Sequence, residues 1–270
     1  MAGQPQRESK IVLADVGRRL TALGVPAQLV RDTLKSLPQA SFGVVLYGSQ
    51  ARRDSNSQSD LDLLVVARSH CPTRGTGQVN VSTYDMEQFL SAKGTLFGMH
   101  LSRDGVVLHG GPSVSEILHQ FAAIDLPRIH ARLSQLVPLL HTREPERSRY
   151  AVGLVRFARY LLRTATYVRA IEEGNPCFSV RELAIRYEDP DLVELLASRQ
   201  EADFSSALEQ LDELTERVDA LVPMQSIEPV NLADLVVGAL YSDPIISDSA
   251  LMIMADAPGE TYSDARRVIL

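Results

Sequence analysis

Residues 48–66 read GSQARRDSNSQSDLDLLVV, and this stretch decides the fold. It follows a continuously apolar run, FGVVLY at 42–47, which reads as a strand covered on both faces. It ends in a second apolar run, LDLLVV at 61–66, interrupted by one carboxylate. Between the two, Gly48 permits positive φ and close backbone approach, and Ser49 is expected to cap a short helix over 50–53. Exposed N–H groups, a hydroxyl and the positive end of a helix make an anion pocket. Asp60 and Asp62 lie two apart on a strand, so both carboxylates project from one face. Adjacent carboxylates repel unless a cation sits between them, and hard oxygen donors suit Mg²⁺ or Mn²⁺. A carboxylate inside a buried strand is costly, and a metal at the strand end removes that cost. Gly-Ser turns and Asp-x-Asp pairs are each common alone. Together, a phosphate cradle facing a carboxylate pair is what metal-assisted nucleotidyl transfer requires.

The order Gly48, Ser49, Ala51, Arg52, then Ser59, Asp60, Leu61, Asp62 resembles the signature of the DNA polymerase β-like nucleotidyltransferase superfamily. Its minimal and antibiotic-adenylyltransferase branches are the most similar, and the resemblance extends over about 40–110. It implies that Gly48 and Ser49, with Arg52 and Ser59 in the same motif, hold the nucleotide. It further implies that Asp60 and Asp62 ligate the metal and form the catalytic pair. The donor would be ATP or another NTP, giving up an NMP to a hydroxyl with release of pyrophosphate. One position departs from the pattern. The third acid of the family falls at 79–81, where this chain has Asn80, an amide that cannot accept a proton at neutral pH. Three readings follow: Asp85 or Glu87 replaces it, solvent takes the proton from a metal-activated hydroxyl, or the domain binds nucleotide without turnover, as a regulator or antitoxin-like module.

Outward from the motif, 8–36 has helical spacing (Ile11, Val12, Val16, Leu20, Leu23) and stops at Leu37-Pro38. A third strand is expected at 78–84 (QVNVSTY), after a loop over 69–77 rich in Pro, Gly, Ser and Thr. A helix is expected at 86–101 and a short edge strand at 105–108. Beyond about 113 the pattern becomes helical: 114–123, 127–140, 146–173, 180–199 and 203–222, then 231–240 and 247–255. The fold class is therefore α+β, a small mixed-sheet nucleotidyltransferase domain over 1–112 followed by a helical domain over 113–225. Residues 226–270 form a helical extension whose packing the sequence does not reveal.

A net charge of −7 argues against a protein that coats nucleic acid with its whole surface. Yet 127–170 carries nine arginines and two acids. Arg156, Arg159 and Arg163 share one helix face, either as an anion-binding surface for a triphosphate or polyanionic acceptor or as a solvated basic face. Residues 175–184 (NPCFSVRELA) resemble part of the HEPN-type helical domains that accompany minimal nucleotidyltransferases. The Arg-then-His pair that HEPN ribonucleases need is missing from 146–173, which disfavours RNA cleavage. His100 is a remote base candidate; the other histidines show no ligand spacing. Two cysteines make neither a disulfide framework nor a zinc site. No apolar run is long enough to cross a membrane and 1–10 has no signal core, so a cytoplasmic setting is expected. The acceptor is left open among a small molecule, a protein and an RNA.

Overall fold

The computed structural model describes residues 9–56, 59–69, 71–197, 204–224 and 228–255. The chain divides into two compact units, the first running to Ile124 and the second beginning at Asp125.

The first unit opens with β1 (Ser9–Lys10), α1 (Leu13–Ala22), α2 (Ala27–Ser36) and β2 (Ala40–Ser41), and β1 pairs with β2. Then come β3 (Gly43–Tyr47), α3 (Gly48–Arg52), β4 (Leu61–Val66), β5 (Cys71–Thr76) and β6 (Val79–Tyr84). Helices α4 (Met86–Ser91) and α5 (Leu96–Asp104), strand β7 (Val106–His109) and helix α6 (Gly111–His119) complete it. Five strands form one mixed sheet in the order β5-β6-β4-β3-β7. Only β4 and β6 run parallel; the other neighbours are antiparallel.

Strand alternation assigns the two faces. Val44, Leu46, Leu61, Leu63, Val65, Val79 and Val81 pack with Val16, Leu20, Leu29 and Val30 of α1 and α2. Val45, Tyr47, Leu64, Val66 and Tyr84 pack with Phe89, Phe97, Leu101, Val114, Leu118 and Phe121 on the other side. The sheet is thus covered twice, which is why β3 and β4 read as unbroken apolar runs. Because Val114 and Leu118 of α6 belong to this core, the helical pattern that starts near 113 begins inside the first unit.

Several expected boundaries shift for local reasons. The stretch expected as a loop over 69–77 contains β5, an edge strand antiparallel to β6. An edge tolerates Pro72 because its missing N–H costs no central ladder bond, and the register slips between Cys71 and Arg74. Gly77 at φ 61° then closes the two-residue turn into β6, where Thr76 pairs with Val79. The single helix expected over 8–36 is two, parted at Gly24 (φ 85°) and Pro26. That over 86–101 is also two, parted at Gly94 (φ 83°), with the Thr95 side chain capping α5.

The second unit is helical among its described residues: α7 (Leu126–Leu136), a 3₁₀ turn (Val137–Leu140), α8 (Glu146–Arg149) and α9 (Ala151–Glu172). It continues through α10 (Val180–Arg186), α11 (Asp191–Ala197), α12 (Phe204–Leu221), α13 (Leu232–Ala239) and α14 (Pro244–Ala255). Helix α9 is its centre, with Leu154, Ala158, Leu161, Leu162 and Ala165 buried. It packs against α12 and α14. Gly153 makes the second contact possible, since a Cβ there would sit 2.1 Å from the carbonyl oxygen of Ile253. The helix expected over 180–199 breaks at Glu188 (φ 52°) and Pro190, and its last two residues lie outside the described ones, as does the end of the extension, 256–270. Helices α13 and α14 belong to the second unit. No helix among the described residues is long and apolar enough to cross a membrane.

Candidate active site

The pairing Tyr47↔Asp62 puts the end of β3 beside the start of β4, and Asp62↔Asn80 puts β6 on the other flank. Asp60, Asp62 and Asn80 have the parity of Leu64, Val66 and Tyr84, so they face the α4–α6 side, at the strand ends. The three converge. Asn80 Nδ2 donates to Asp60 Oδ2 and to Asp62 Oδ1, at 3.1 Å in each case. One amide nitrogen therefore bridges both carboxylates and offsets part of their mutual repulsion.

Gly48 is required here by two independent features. Its φ of 74° is strained for any residue with a side chain, and a Cβ would lie 2.8 Å from Asp62 Oδ2. The missing side chain keeps the approach to the Asp62 carboxylate open. Helix α3 begins at Gly48, with Tyr47 as its N-cap and no side-chain cap bond, so Ser49 does not cap it as expected. Ser49 is the second residue of the helix, so its hydroxyl does not stand at the cap position before the first turn, which Tyr47 occupies. The carbonyl of Ser49 accepts from Asp54 N at 3.1 Å, which ties the loop back to the turn. Ser59 closes that loop locally. Its Oγ donates to Asn56 Oδ1 and accepts from Asn56 N, both at 2.9 Å, just before Asp60.

Arg52 engages a cluster beneath the turn. Its Nε lies 3.2 Å from Asp54 Oδ2, and its Nη1 donates to His100 Nε2 at 3.0 Å and lies 3.6 Å from Asp104 Oδ2. His100 and Asp104 are one turn apart on α5, and the His100 ring meets Tyr47 edge-on at 6.0 Å. Burial, then the charges of Arg52 and Arg103, push His100 down to about 3. It is a neutral imidazole whose Nε2 lone pair is taken by Arg52, so its 3.5 Å contact with Asp104 is not an ion pair. That occupied lone pair removes His100 as a base. Asp104 is raised by burial, against the pull of Arg52 and Arg103. The sequence had shown Arg52 and His100 separately; Asp54 and Asp104 were missed, although the His100/Asp104 spacing places them on one helix face.

Asp85 is not brought to the carboxylate pair. Its side chain accepts from Gln88 N at 2.7 Å and caps α4. It follows the C-terminal end of β6, five residues beyond Asn80, which at strand rise is about 16 Å away. Glu87 lies in the first turn of α4, beyond the same end. The signal was in the sequence: an Asp three residues before a Gln at a helix start is a capping pattern.

The donor set can be judged against a hard divalent cation. Two carboxylates converge on one point, and the glycine leaves space beside Asp62, which fits such an ion. Among the described residues no three His, Cys, Asp or Glu side chains cluster as a metal site; the third member here is the Asn80 amide. As oriented it presents its Nδ2 donor to the carboxylates; turned over, it would offer Oδ1 as a ligand in place of those two bonds.

The nucleotidyltransferase domain family matches residues 28–159, which include the whole of this site. The fold and the site thus define a nucleotidyltransferase domain. Over those residues the match supports the resemblance to the DNA polymerase β-like nucleotidyltransferase superfamily, whose general chemistry is nucleotidyl transfer. Among solved structures, one that this chain resembles is a nucleotidyltransferase-like protein from Exiguobacterium sibiricum 255-15. Identity is 16%, the alignment covers 79% of this chain and 81% of that one, and the TM-score is 0.26, too low to add to the assignment. No curated protein matches the chain significantly.

Proposed function

We propose that this protein is a metal-dependent enzyme that transfers an NMP, AMP from ATP, to an acceptor hydroxyl. The observation that carries the reading is the convergence of Asp60 and Asp62 beside a Gly48 whose absent Cβ leaves Asp62 accessible. Asp60 and Asp62 hold Mg²⁺ or Mn²⁺, which when bound neutralises triphosphate charge and favours departure of pyrophosphate. The backbone of Gly48 and Ser49 receives the phosphates, with Ser59 fixing the loop that leads into Asp60. Arg52 acts by holding the turn rather than by touching the nucleotide, since its guanidinium is engaged by Asp54, His100 and Asp104. The acceptor oxygen forms a bond to the α-phosphorus as the α–β bridging bond breaks. Its proton leaves to solvent, because Asn80 cannot accept it. The two compact units serve as a nucleotidyltransferase domain and a helical domain, in a cytoplasmic protein whose acceptor is a small molecule, a protein or an RNA.

A second reading is favoured by Asn80 specifically: a nucleotide-binding regulator or antitoxin-like module without turnover. Each α-labelled NTP is incubated with Mg²⁺ or Mn²⁺ and a panel of protein, tRNA and aminoglycoside acceptors, alongside Asp60→Ala/Asp62→Ala. Label transfer that disappears in the double variant supports the enzyme. Metal-dependent NTP binding with no transfer to any acceptor would replace it with the regulator.

A further inference from the structure

The arginines of 127–170 separate by the charge of their partners. Arg132 pairs with Asp243 at 3.0 Å, Arg147 with Asp212, and Arg169 with Glu173 at 2.9 Å, all within the second unit. These are neutralised cations, as the solvated-face alternative anticipates. Arg159 and Arg163 are different. Arg159 Nη2 donates to the amide oxygen of Gln210 at 3.0 Å, and Arg163 Nη2 donates to the carbonyl of Leu196 near the end of α11. Both acceptors are neutral. The Nε of each is buried and has no hydrogen-bond acceptor. Neither arginine makes an ion pair among the described residues.

Three and four residues separate Arg156, Arg159 and Arg163 on α9, so their guanidinium groups crowd one face. The crowding is felt electrostatically: burial lowers Arg159 below the usual arginine range, and the charges of Arg163 and then Arg156 lower it further. For Arg159 and Arg163, partly buried like charges held by neutral acceptors are unfavourable unless an anion joins them. The guanidinium fork, with donors still unused, matches phosphate oxygens.

We propose that Arg159 and Arg163 form an anion site, built from residues of the helical unit, that binds a small phosphate-bearing ligand of at least two negative charges. Its residues are distinct from those of the nucleotide donor site proposed above, and it stands whether or not that site turns over.

The probe is inorganic tripolyphosphate, titrated calorimetrically into the full chain at matched ionic strength against a chloride blank. Arg159→Gln/Arg163→Gln should weaken binding by about tenfold or more, the equivalent of one lost charge-assisted bond. Asp60→Ala/Asp62→Ala, which disables the donor site, and Arg169→Gln, which removes an already paired charge, should each leave affinity within about twofold. Loss of binding in Asp60→Ala/Asp62→Ala with retention in the arginine variant would assign the anion to the donor site and overturn the proposal. Absence of saturable binding by the unaltered chain would do the same. Where circular dichroism shows that the glutamine variant has not folded, Arg159→Lys/Arg163→Lys replaces it. Lysine keeps the charge and loses the fork, so affinity should fall severalfold, and an unchanged affinity refutes the site.

Discussion

Replacing Gly48 with alanine tests whether the space beside Asp62 is functional or only conformational. Two costs are superposed at this position. A left-handed backbone is unfavourable for alanine by about 1–2 kcal/mol, and Gly48 sits at φ 74°. The new Cβ also meets Asp62 Oδ2 at 2.8 Å, so the carboxylate must retreat by roughly half an ångström to reach ordinary contact. Asp62 is a short side chain, so this retreat costs little stability. It does disturb the bond from Asn80 and the convergence with Asp60. Gly77→Ala supplies the control, because Gly77 has φ 61° and nothing within 4 Å of its Cβ position. Both variants should lose about 1–2 kcal/mol in urea unfolding. Only Gly48→Ala should weaken Mn²⁺-dependent ATP binding, by about tenfold or more, since a charged hydrogen bond is worth at least that factor. Equal ATP affinities for the two variants, measured calorimetrically, would refute the reasoning that the missing Cβ serves the carboxylate.

Other consequences are testable alongside it. Asn80→Asp replaces a bridging donor with a third carboxylate, so the metal-free protein should lose about 1–3 kcal/mol, while added Mn²⁺ should raise its Tm more than that of the parent. A Tm that ignores Mn²⁺ in both proteins would count against any cation site. His100 is neutral in the fold down to about pH 3, whereas the unfolded imidazole takes up a proton below about 6.5. Its contribution is complete above pH 6.5 and is lost as pH falls, with a slope approaching 1.4 kcal/mol per pH unit. Asp104, whose carboxyl is raised, acts in the opposite sense and regains stability as pH falls. His100→Gln, which keeps an acceptor for Arg52, should flatten the acid limb of the unfolding profile, and an unchanged limb would show that His100 does not set it. Gly153→Ala forces a Cβ into the Ile253 carbonyl and should cost about 1–3 kcal/mol in the helical unit, visible as a lowered Tm. A Tm equal to that of the parent would mean that α14 adjusts freely against α9.

The sequence by itself determined the three central strands and the spacing of the motif across them. Continuous burial on two faces demands apolar runs, and a strand fixes which residues share a face, so Asp60 and Asp62 could be paired from position alone. It also determined the change to helices and the departure at Asn80. Tertiary structure decided the rest, because the deciding contacts join residues distant along the chain. Only the parallel alignment of β4 with β6 brings the Asn80 amide between two carboxylates. Only the packing of α5 across the sheet brings His100 to Arg52 and takes up its lone pair. The edge strand β5 was hidden because Pro and Gly are tolerated where one side of a strand has no partner, and composition cannot report a strand's place in a sheet. The arginines of α9 were visible as one face, but which were already neutralised depended on where Asp212, Glu173 and Asp243 came to lie.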